Sequence, residues 1–352
     1  MKSTSNKSTE KSERYYLLDG LRGVAALGVM ARHLWLQSNG WVGLNMLVDF
    51  FFVLSGFVLA PQLVNMKPSG RKGFVTKRIV RLWPTLIPVF LLIIAQERIP
   101  VLHVHGNTVV HSVYQYLGAF LLLQLYLPSL ISVNDPLWSL SAEFLVNVAA
   151  TYFLPNKSNL KRLLLTCVAM QILGIWLSNK FNLGWGFNHY LISLGRSFFG
   201  FYAGIYLFQW KLKSNRKPSY SKLGGVFAGC YVIFFLLQYS HYYIILAGPI
   251  FYLLLRELIS LDQRAMNDRV ISLCKVLGKL SYGIYVWHEI INRLRIPAFI
   301  NKHFFASSTS SDFWMSFTGF MVTTALVLLA SQLSYRFFEI HVRKWFSKKL
   351  KY

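Results

Sequence analysis

The chain alternates long apolar stretches with short basic segments over nearly its whole length. A helix that crosses a bilayer needs about 20 consecutive, mostly apolar residues. Eleven candidates reach or approach this length: 15–38, 42–65, 82–96, 113–131, 137–154, 161–178, 188–210, 222–239, 241–258, 277–296 and 313–337. The pattern predicts an all-α, polytopic membrane protein.

The basic segments indicate which of these stretches cross the membrane. Of the 37 Lys and Arg residues, 29 lie in six segments: 1–14, 66–81, 155–162, 211–222, 256–279 and 336–352. The positive-inside rule places all six in the cytoplasm, which requires an even number of spans between neighbouring segments. Three candidates lie between residues 81 and 155, and the most polar, 113–131, is assigned as interfacial or re-entrant.

This count predicts about ten transmembrane helices with both termini cytoplasmic. The predicted organisation is a basic N-terminal tail (1–14), a transmembrane domain (15–338) and a basic C-terminal tail (339–352). The expected location is the cell (cytoplasmic) membrane, with membrane lipid as a partner.

Composition supports this assignment. Hydrophobic residues make up 54% of the chain and charged residues only 14%, whereas about a quarter of the residues in a soluble domain are charged. The net charge of +24 follows from the cytoplasmic segments, and no basic arm predicts a nucleic-acid partner. No metal site is expected, because His103, His105 and His111 have no Cys, Asp or Glu at ligand spacing.

The first span contains several ionisable residues. Arg22 and His33 are eleven residues apart, which is almost three helical turns and about 16 Å of rise, so they share one helix face. Asp19 lies on the same face and is expected to neutralise Arg22. Because an ionisable side chain inside a bilayer costs roughly 2.5 to 3.5 kcal/mol on insertion scales, such residues indicate a functional site.

Further polar residues fall at two depths of the predicted bundle. At the inner end, K-R-I-V-R-L-W-P places Lys77, Arg78 and Arg81 at the start of a span. In the outer half we place Glu143, Arg196 and the stripe of Ser281, Tyr285, His288 and Asn292. The sequence therefore predicts a basic inner mouth and a His/Glu/Arg cluster near the outer surface. The alternative readings are topological anchors for the basic residues and a hydrogen-bonded core residue for His288.

Six segments occur in an order that resembles one family: L-D-G-L-R-G-V-A-A, D-F-F-F-V-L-S-G-F-V-L, K-R-I-V-R-L-W-P, P-L-W-S-L-S-A-E-F, L-S-Y-G-I-Y-V-W-H and S-Y-R-F-F-E. This is the acyltransferase-3 family of integral-membrane O-acyltransferases. Its members move acetyl or other short acyl groups from cytoplasmic acyl-CoA to hydroxyls of surface glycans, lipid-linked sugars, exported polymers or antibiotics. The resemblance extends from Asp19 to Glu339.

The resemblance implies roles for particular residues. Arg22 and His33 match the family's Arg and His of the first helix, Arg78 and Arg81 match its basic motif, and Glu143 lies in its W-S-L motif. Many relatives carry a soluble esterase-like domain after the membrane part. In this chain, handover of an acyl group to such a domain would require a separate extracytoplasmic acyl-handling protein.

These implications suggest a mechanism. Arg22, Arg78, Arg81 and Lys77 are expected to hold the phosphates of acyl-CoA. His33, Glu143 and Arg22 are the expected catalytic residues, with His33 removing the proton of the acceptor hydroxyl. Glu143 would orient His33 or the acceptor, and Arg196 would pair with Glu143 or stabilise the oxyanion. The further pocket candidates are Asp19, Ser55, Arg196, Tyr285 and His288.

Two alternatives remain open at this point. A covalent acyl-histidine intermediate is a variant of the same mechanism. A polytopic transporter of an anionic solute would use the same inner arginines and outer polar cluster as a substrate path.

Overall fold

The computed structural model describes residues 14–34, 42–99, 111–127, 130, 133–181, 187–214, 219–262, 267–294 and 312–349. The helices are α1 (Tyr16–Leu34), α2 (Leu47–Leu63), α3 (Arg71–Arg98), α4 (Val113–Phe120), α5 (Leu137–Tyr152), α6 (Lys157–Phe181), α7 (Phe187–Lys211), α8 (Tyr220–Tyr239), α9 (Ala247–Asp262), α10 (Asp268–Asn292), α11 (Asp312–Ser334) and α12 (Ile340–Lys349). No strand occurs within these ranges, so the all-α prediction is confirmed.

Eight helices in the described part of the chain are long and apolar enough to cross a membrane, namely α2, α3 and α6 to α11. The other two predicted spans are exceptional: α1 contains Asp19, Arg22 and Arg32, and α5 has only 16 residues, or about 24 Å of rise. The ten-span count and the cytoplasmic termini therefore stay predictions.

Within the described part of the segment 113–131, residues 113–127 and 130, there is one α-helix, which is short. α4 covers only eight of its residues, and turns follow after Phe120. Eight residues rise about 12 Å, far less than a bilayer's hydrocarbon core of about 30 Å. This agrees with the prediction that the segment does not cross.

Small residues bring α1 close to α10. A side-chain carbon added to Gly20 would lie 2.5 Å from the sulfur of Cys274, and one added to Gly23 would lie 2.5 Å from the Cβ atom of Leu277. On the other helix, Gly278 lies against Asp19. Without bulky side chains at these positions the two backbones approach closely, as is typical of helix contacts in membranes.

A second close crossing joins α2 to α7. A Cβ atom on Gly56 would lie 1.9 Å from the carbonyl oxygen of Phe201, and one on Gly204 would lie 2.1 Å from that of Val53. Backbone contacts this tight leave no room for a side chain. The α1–α10 and α2–α7 pairs are therefore closely packed helix crossings.

The outer helices are much more exposed. In an 18-residue apolar stretch of α8 only 17% of the residues are buried, whereas 61% are buried in the corresponding stretch of the α2 segment. Phe227, Tyr231 and Val232 on α8 are exposed apolar side chains, as expected for a helix that faces lipid. The polar residues singled out above lie mainly on the central helices.

Candidate active site

A cavity of about 80 Å³ lies between α1, α2, α3, α5 and α10 and opens to solvent. Its wall contains the three guanidinium groups of Arg22, Arg78 and Arg81 and the carboxylate of Glu143. Five hydroxyl-bearing side chains complete the polar lining: Ser55, Ser139, Ser281, Tyr282 and Tyr285. We call this cavity the arginine chamber.

Arg22 is fixed by α10. Its Nε donates to the hydroxyl of Ser281 (2.9 Å) and a terminal nitrogen donates to the carbonyl of Gly278 (2.8 Å). Asp19 interacts electrostatically with Arg22, but its carboxylate accepts its hydrogen bond from Arg14, at 2.9 Å. Asp19 packs at the α1–α10 contact, which turns its carboxylate toward the chain that precedes α1.

Arg78 and Arg81 lie one turn apart on α3 and donate no hydrogen bond to any residue that the structure describes. The Nε of Arg78 is buried without a partner, and its guanidinium lies 5.6 Å from the ring centre of Phe74. A buried donor without an acceptor is unfavourable, so Arg78 favours an anionic ligand. Lys77 is exposed and does not line the chamber.

Glu143 lies among the arginines. Its carboxylate accepts from the hydroxyl of Ser55 at 2.8 Å and interacts electrostatically with Arg22 and Arg78. The structure therefore brings together Ser55 and Glu143, both predicted site residues. It does not place Glu143 beside His33, whose charged neighbours are Asp135 and Arg32.

Tyr285 lines the chamber at the end nearer to His288. Its hydroxyl is 2.6 Å from that of Ser139 and also donates to the carbonyl of Pro136 (3.1 Å). The Tyr285 ring lies 5.9 Å from the ring of His288, which is one turn farther along α10 and is not part of the chamber wall. Tyr285 therefore separates the chamber from the next group of residues.

Beyond Tyr285 lie two histidines, His33 of α1 and His288 of α10, with ring centres 5.1 Å apart. The Nδ1 of His33 is 2.9 Å from the carbonyl oxygen of Val29, and the Nδ1 of His288 is 3.2 Å from that of Ile284. We call these residues the histidine pair. Since Arg22 and His33 both contact α10, the face predicted from their eleven-residue spacing is the observed one.

Arg196 forms a buried ion pair outside the chamber wall. A terminal nitrogen lies 2.7 Å from a carboxylate oxygen of Asp49, and the same nitrogen donates to the carbonyl of Asn45 at 3.1 Å. The guanidinium also lies 5.4 Å from the ring centre of Trp138. The predicted Arg196–Glu143 pair is therefore wrong, and the acidic partner is a residue that sequence reasoning missed. Asp49 could have been noticed as an unpaired acid inside an apolar span.

Two further acidic residues were missed. Asp135, in the turn before α5, interacts electrostatically with His33, and burial raises the pKa of this carboxyl while His33 opposes the rise. Glu339 is buried and accepts from Thr85 (2.9 Å) and Arg343 (2.8 Å). It stands in the quoted S-Y-R-F-F-E segment, and Asp135 directly precedes P-L-W-S-L, so both had a sequence signal.

Of the three histidines considered above for metal binding, only His111 lies within the described residues. Its contacts there are structural. His111 lies 2.9 Å from the carboxylate of Glu97, which also accepts from Tyr116 at 2.5 Å. His103 and His105 lie outside the described residues. Across the described ranges, no group of three or more His, Cys, Asp or Glu side chains is arranged to hold a metal ion.

A family model described as an acyltransferase domain matches residues 15–336. The chain belongs to the acyltransferase-3 family. It is 24% identical over 376 residues to the peptidoglycan O-acetyltransferase OatA of Listeria monocytogenes, a match that covers 96% of this chain and 57% of the relative. It is 23% identical over 368 residues to the O-acetyltransferase OatA of Staphylococcus aureus, covering 93% of this chain and 57% of that protein.

A shorter match gives 38% identity over 96 residues to protein 2 in the picA locus of Rhizobium radiobacter, covering 25% of this chain and 48% of that protein. The chain thus spans about half the length of the curated relatives that it matches. No solved structure gives a significant match.

Proposed function

We propose that this acyltransferase moves an acyl group, acetyl by default, from cytoplasmic acyl-CoA to a hydroxyl of a surface or exported glycan. The observation that carries the proposal is the arginine chamber, which Arg22, Arg78 and Arg81 line and in which the Nε of Arg78 is buried without a hydrogen-bonded partner among the described residues. Three guanidinium groups and one carboxylate line the chamber, and this excess of positive charge favours a polyanionic ligand.

The phosphates of acyl-CoA have the chemistry to offset this charge. Arginine offers paired donors to phosphate oxygens, and the chamber is open at its mouth. From Arg22 to His33 the α1 helix rises about 16 Å, a distance comparable to the long arm that carries the thioester. Tyr285 stands between chamber and histidine pair, so delivery of the thioester to His33 requires this side chain to move aside.

In the proposed reaction His33 is the general base and then the general acid. Its Nε2 removes the proton of the acceptor hydroxyl while the oxygen bonds to the thioester carbonyl carbon. The carbon–sulfur bond then breaks, and the imidazolium returns the proton to the thiolate. The products are an ester and free CoA. The Glu143 carboxylate holds Ser55 and balances Arg22 and Arg78 in this scheme.

The relatives support a glycan acceptor. The Listeria relative is named for O-acetylation of peptidoglycan, and a multi-pass protein of the cell membrane would have such a polymer on its outer side. We propose that the acyl group passes either directly to the glycan or through an extracytoplasmic acyl-handling protein.

Radiolabelled acetyl-CoA tests the proposal. Purified protein in detergent, mixed with cell-envelope glycans, should release free CoA and label the glycan, and His33→Ala should do neither. An anion transporter would release no CoA and would instead move solute across vesicles. Mass spectrometry of surface glycans with and without the gene would then identify the acyl group and the acceptor.

A further inference from the structure

The histidine pair presents two hydrogen-bond acceptors at one place. Each ring has its Nδ1 within hydrogen-bonding distance of a carbonyl oxygen four residues earlier on its own helix. A carbonyl only accepts, so the hydrogen of each neutral ring is assigned to Nδ1. The Nε2 atoms of His33 and His288 are therefore both hydrogen-bond acceptors. Neither carries a hydrogen that it could donate to the other.

His288 is the more demanding of the two. It is fully buried, and its Nε2 has no hydrogen-bond partner in the described part of the chain. The Tyr285 hydroxyl already donates to the carbonyl of Pro136 and lies within hydrogen-bonding distance of the Ser139 hydroxyl, so it is not a free donor for His288. Asp135, which interacts electrostatically with His33, supplies no donor when ionised. A buried acceptor left in this state is unfavourable.

The attacking hydroxyl cannot satisfy both rings. A hydroxyl has one hydrogen, and in the proposed reaction that hydrogen goes to His33. We infer that His288 accepts a hydrogen bond from a second hydroxyl, next to the one that is acylated, so that the acceptor is a vicinal diol of a sugar ring. The inference rests on the proposed function and extends it to the class of acceptor.

Two further observations support a polar, multidentate acceptor here. The rings are 5.1 Å apart, so neighbouring hydroxyls of one sugar can reach both. The guanidinium of Arg32, next to His33 in the sequence, has two buried nitrogens, Nε and one terminal nitrogen, without a partner in the described structure. The same region therefore offers unused donors for sugar oxygens as well as unused acceptors for sugar hydroxyls.

His288 would act as a specificity-determining residue. It would orient the sugar so that one hydroxyl of the pair meets His33, and it would favour diols over single alcohols. Because His288 is fully buried whereas His33 is partly exposed, the second hydroxyl reaches the Nε2 of His288 only when the side chains that cover it move aside.

The matched probes are cis-1,2-cyclohexanediol and its monomethyl ether, which differ by one donor hydrogen. Purified full-length protein receives radiolabelled acetyl-CoA and either probe, and ester formation per free hydroxyl is measured. One hydrogen bond to a buried group predicts about tenfold faster transfer to the diol. In His288→Leu the ratio should fall to about one, and in His288→Gln, whose amide oxygen accepts, part of the preference should return.

The outcomes separate the two proposals. Equal transfer to diol and ether by the unaltered protein overturns the role of His288, without any variant being needed. A tenfold preference that persists in His288→Leu also overturns it and assigns the preference to a bridging water or another residue. Acetyl-CoA affinity equal to that of the unaltered protein shows that the variant is folded. Absence of CoA release with every acceptor, envelope glycans included, overturns the proposed function, and this inference falls with it.

Discussion

The arginine chamber and the histidine pair share two helices, α1 and α10, but have opposite character. The chamber contains three guanidinium groups, one carboxylate and an open mouth. The histidine pair is partly or wholly buried, and each ring is held by a backbone carbonyl of its own helix. α1 and α10 contribute to both, with Arg22 bonded to Ser281 in the chamber and His33 beside His288 beyond it.

This difference suggests a division of labour. A site with an excess of cations binds anions, whereas a site with neutral imidazoles transfers protons. Because Tyr285 stands between the two regions, variants in each region should affect different steps. Binding of acyl-CoA and transfer of the acyl group can therefore be used to test the comparison separately.

The largest effect is expected for His33→Ala. Loss of a general base lowers the rate by roughly 10² to 10⁴-fold, while acetyl-CoA affinity should stay near that of the unaltered protein. Rates and affinities are measured on the same detergent preparation. The control is His341→Ala, an exposed histidine on α12, which should keep full activity. A His33 variant with near-normal turnover would remove the catalytic role from the histidine pair.

Asp49→Ala should lower the stability of the whole protein without changing one particular step of the reaction. Removing one partner of a buried ion pair costs about 3 to 5 kcal/mol, because Arg196 would remain buried and unpaired. Thermal unfolding in detergent should show a lower midpoint, while surviving folded protein should keep its acetyl-CoA affinity. If Asp49→Ala instead weakened donor binding at unchanged stability, Arg196 and Asp49 would belong to the chamber.

Arg78→Ala and Arg81→Ala should weaken acetyl-CoA binding. A charge-assisted contact is worth about 1.5 to 3 kcal/mol, or roughly 10 to 150-fold in the dissociation constant. Turnover at saturating acetyl-CoA should change little. Arg269→Ala, at the exposed start of α10, is the matched control and should bind normally. Unchanged affinity in both chamber variants would place the donor phosphates elsewhere.

Asp19→Ala should have the smallest effect. Asp19 pairs with Arg14, whose side chain is 56% exposed, and exposed ion pairs contribute about 0.2 to 1 kcal/mol. Acetyl-CoA affinity and turnover should both stay within about fivefold of the unaltered protein. A loss as large as that of the Arg78 variant would show that Asp19 organises Arg22 after all.

The sequence predicted relations within one helix better than relations between helices. The spacing of Arg22 and His33 and the stripe of Ser281, Tyr285 and His288 follow from helical geometry alone. By contrast, Arg196 and Glu143 were expected together from similar depth, yet Arg196 is 147 positions from its observed partner Asp49. Depth along a helix does not fix which face meets a neighbour.

For the same reason, the His/Glu/Arg cluster that the sequence predicted is divided between different places in the structure. Glu143 turns toward Ser55 and the arginines, because α5 presents this face to α2 in the chamber. The all-α class was predictable from apolar stretches and basic segments. The short α5 and the charged α1 are less regular as spans, and they carry much of the candidate site.

The most direct test of the account uses an acetyl-CoA analogue whose pantetheine arm is shortened by its β-alanine unit. The phosphates are unchanged, so the analogue should compete with acetyl-CoA for the arginine chamber with similar affinity. Its thioester would stop short of His33, because Arg22 and His33 are about 16 Å apart along α1, and we predict no acyl transfer. Transfer from the shortened analogue at the normal rate would contradict the account, since the thioester would then react within the chamber and not at the histidine pair.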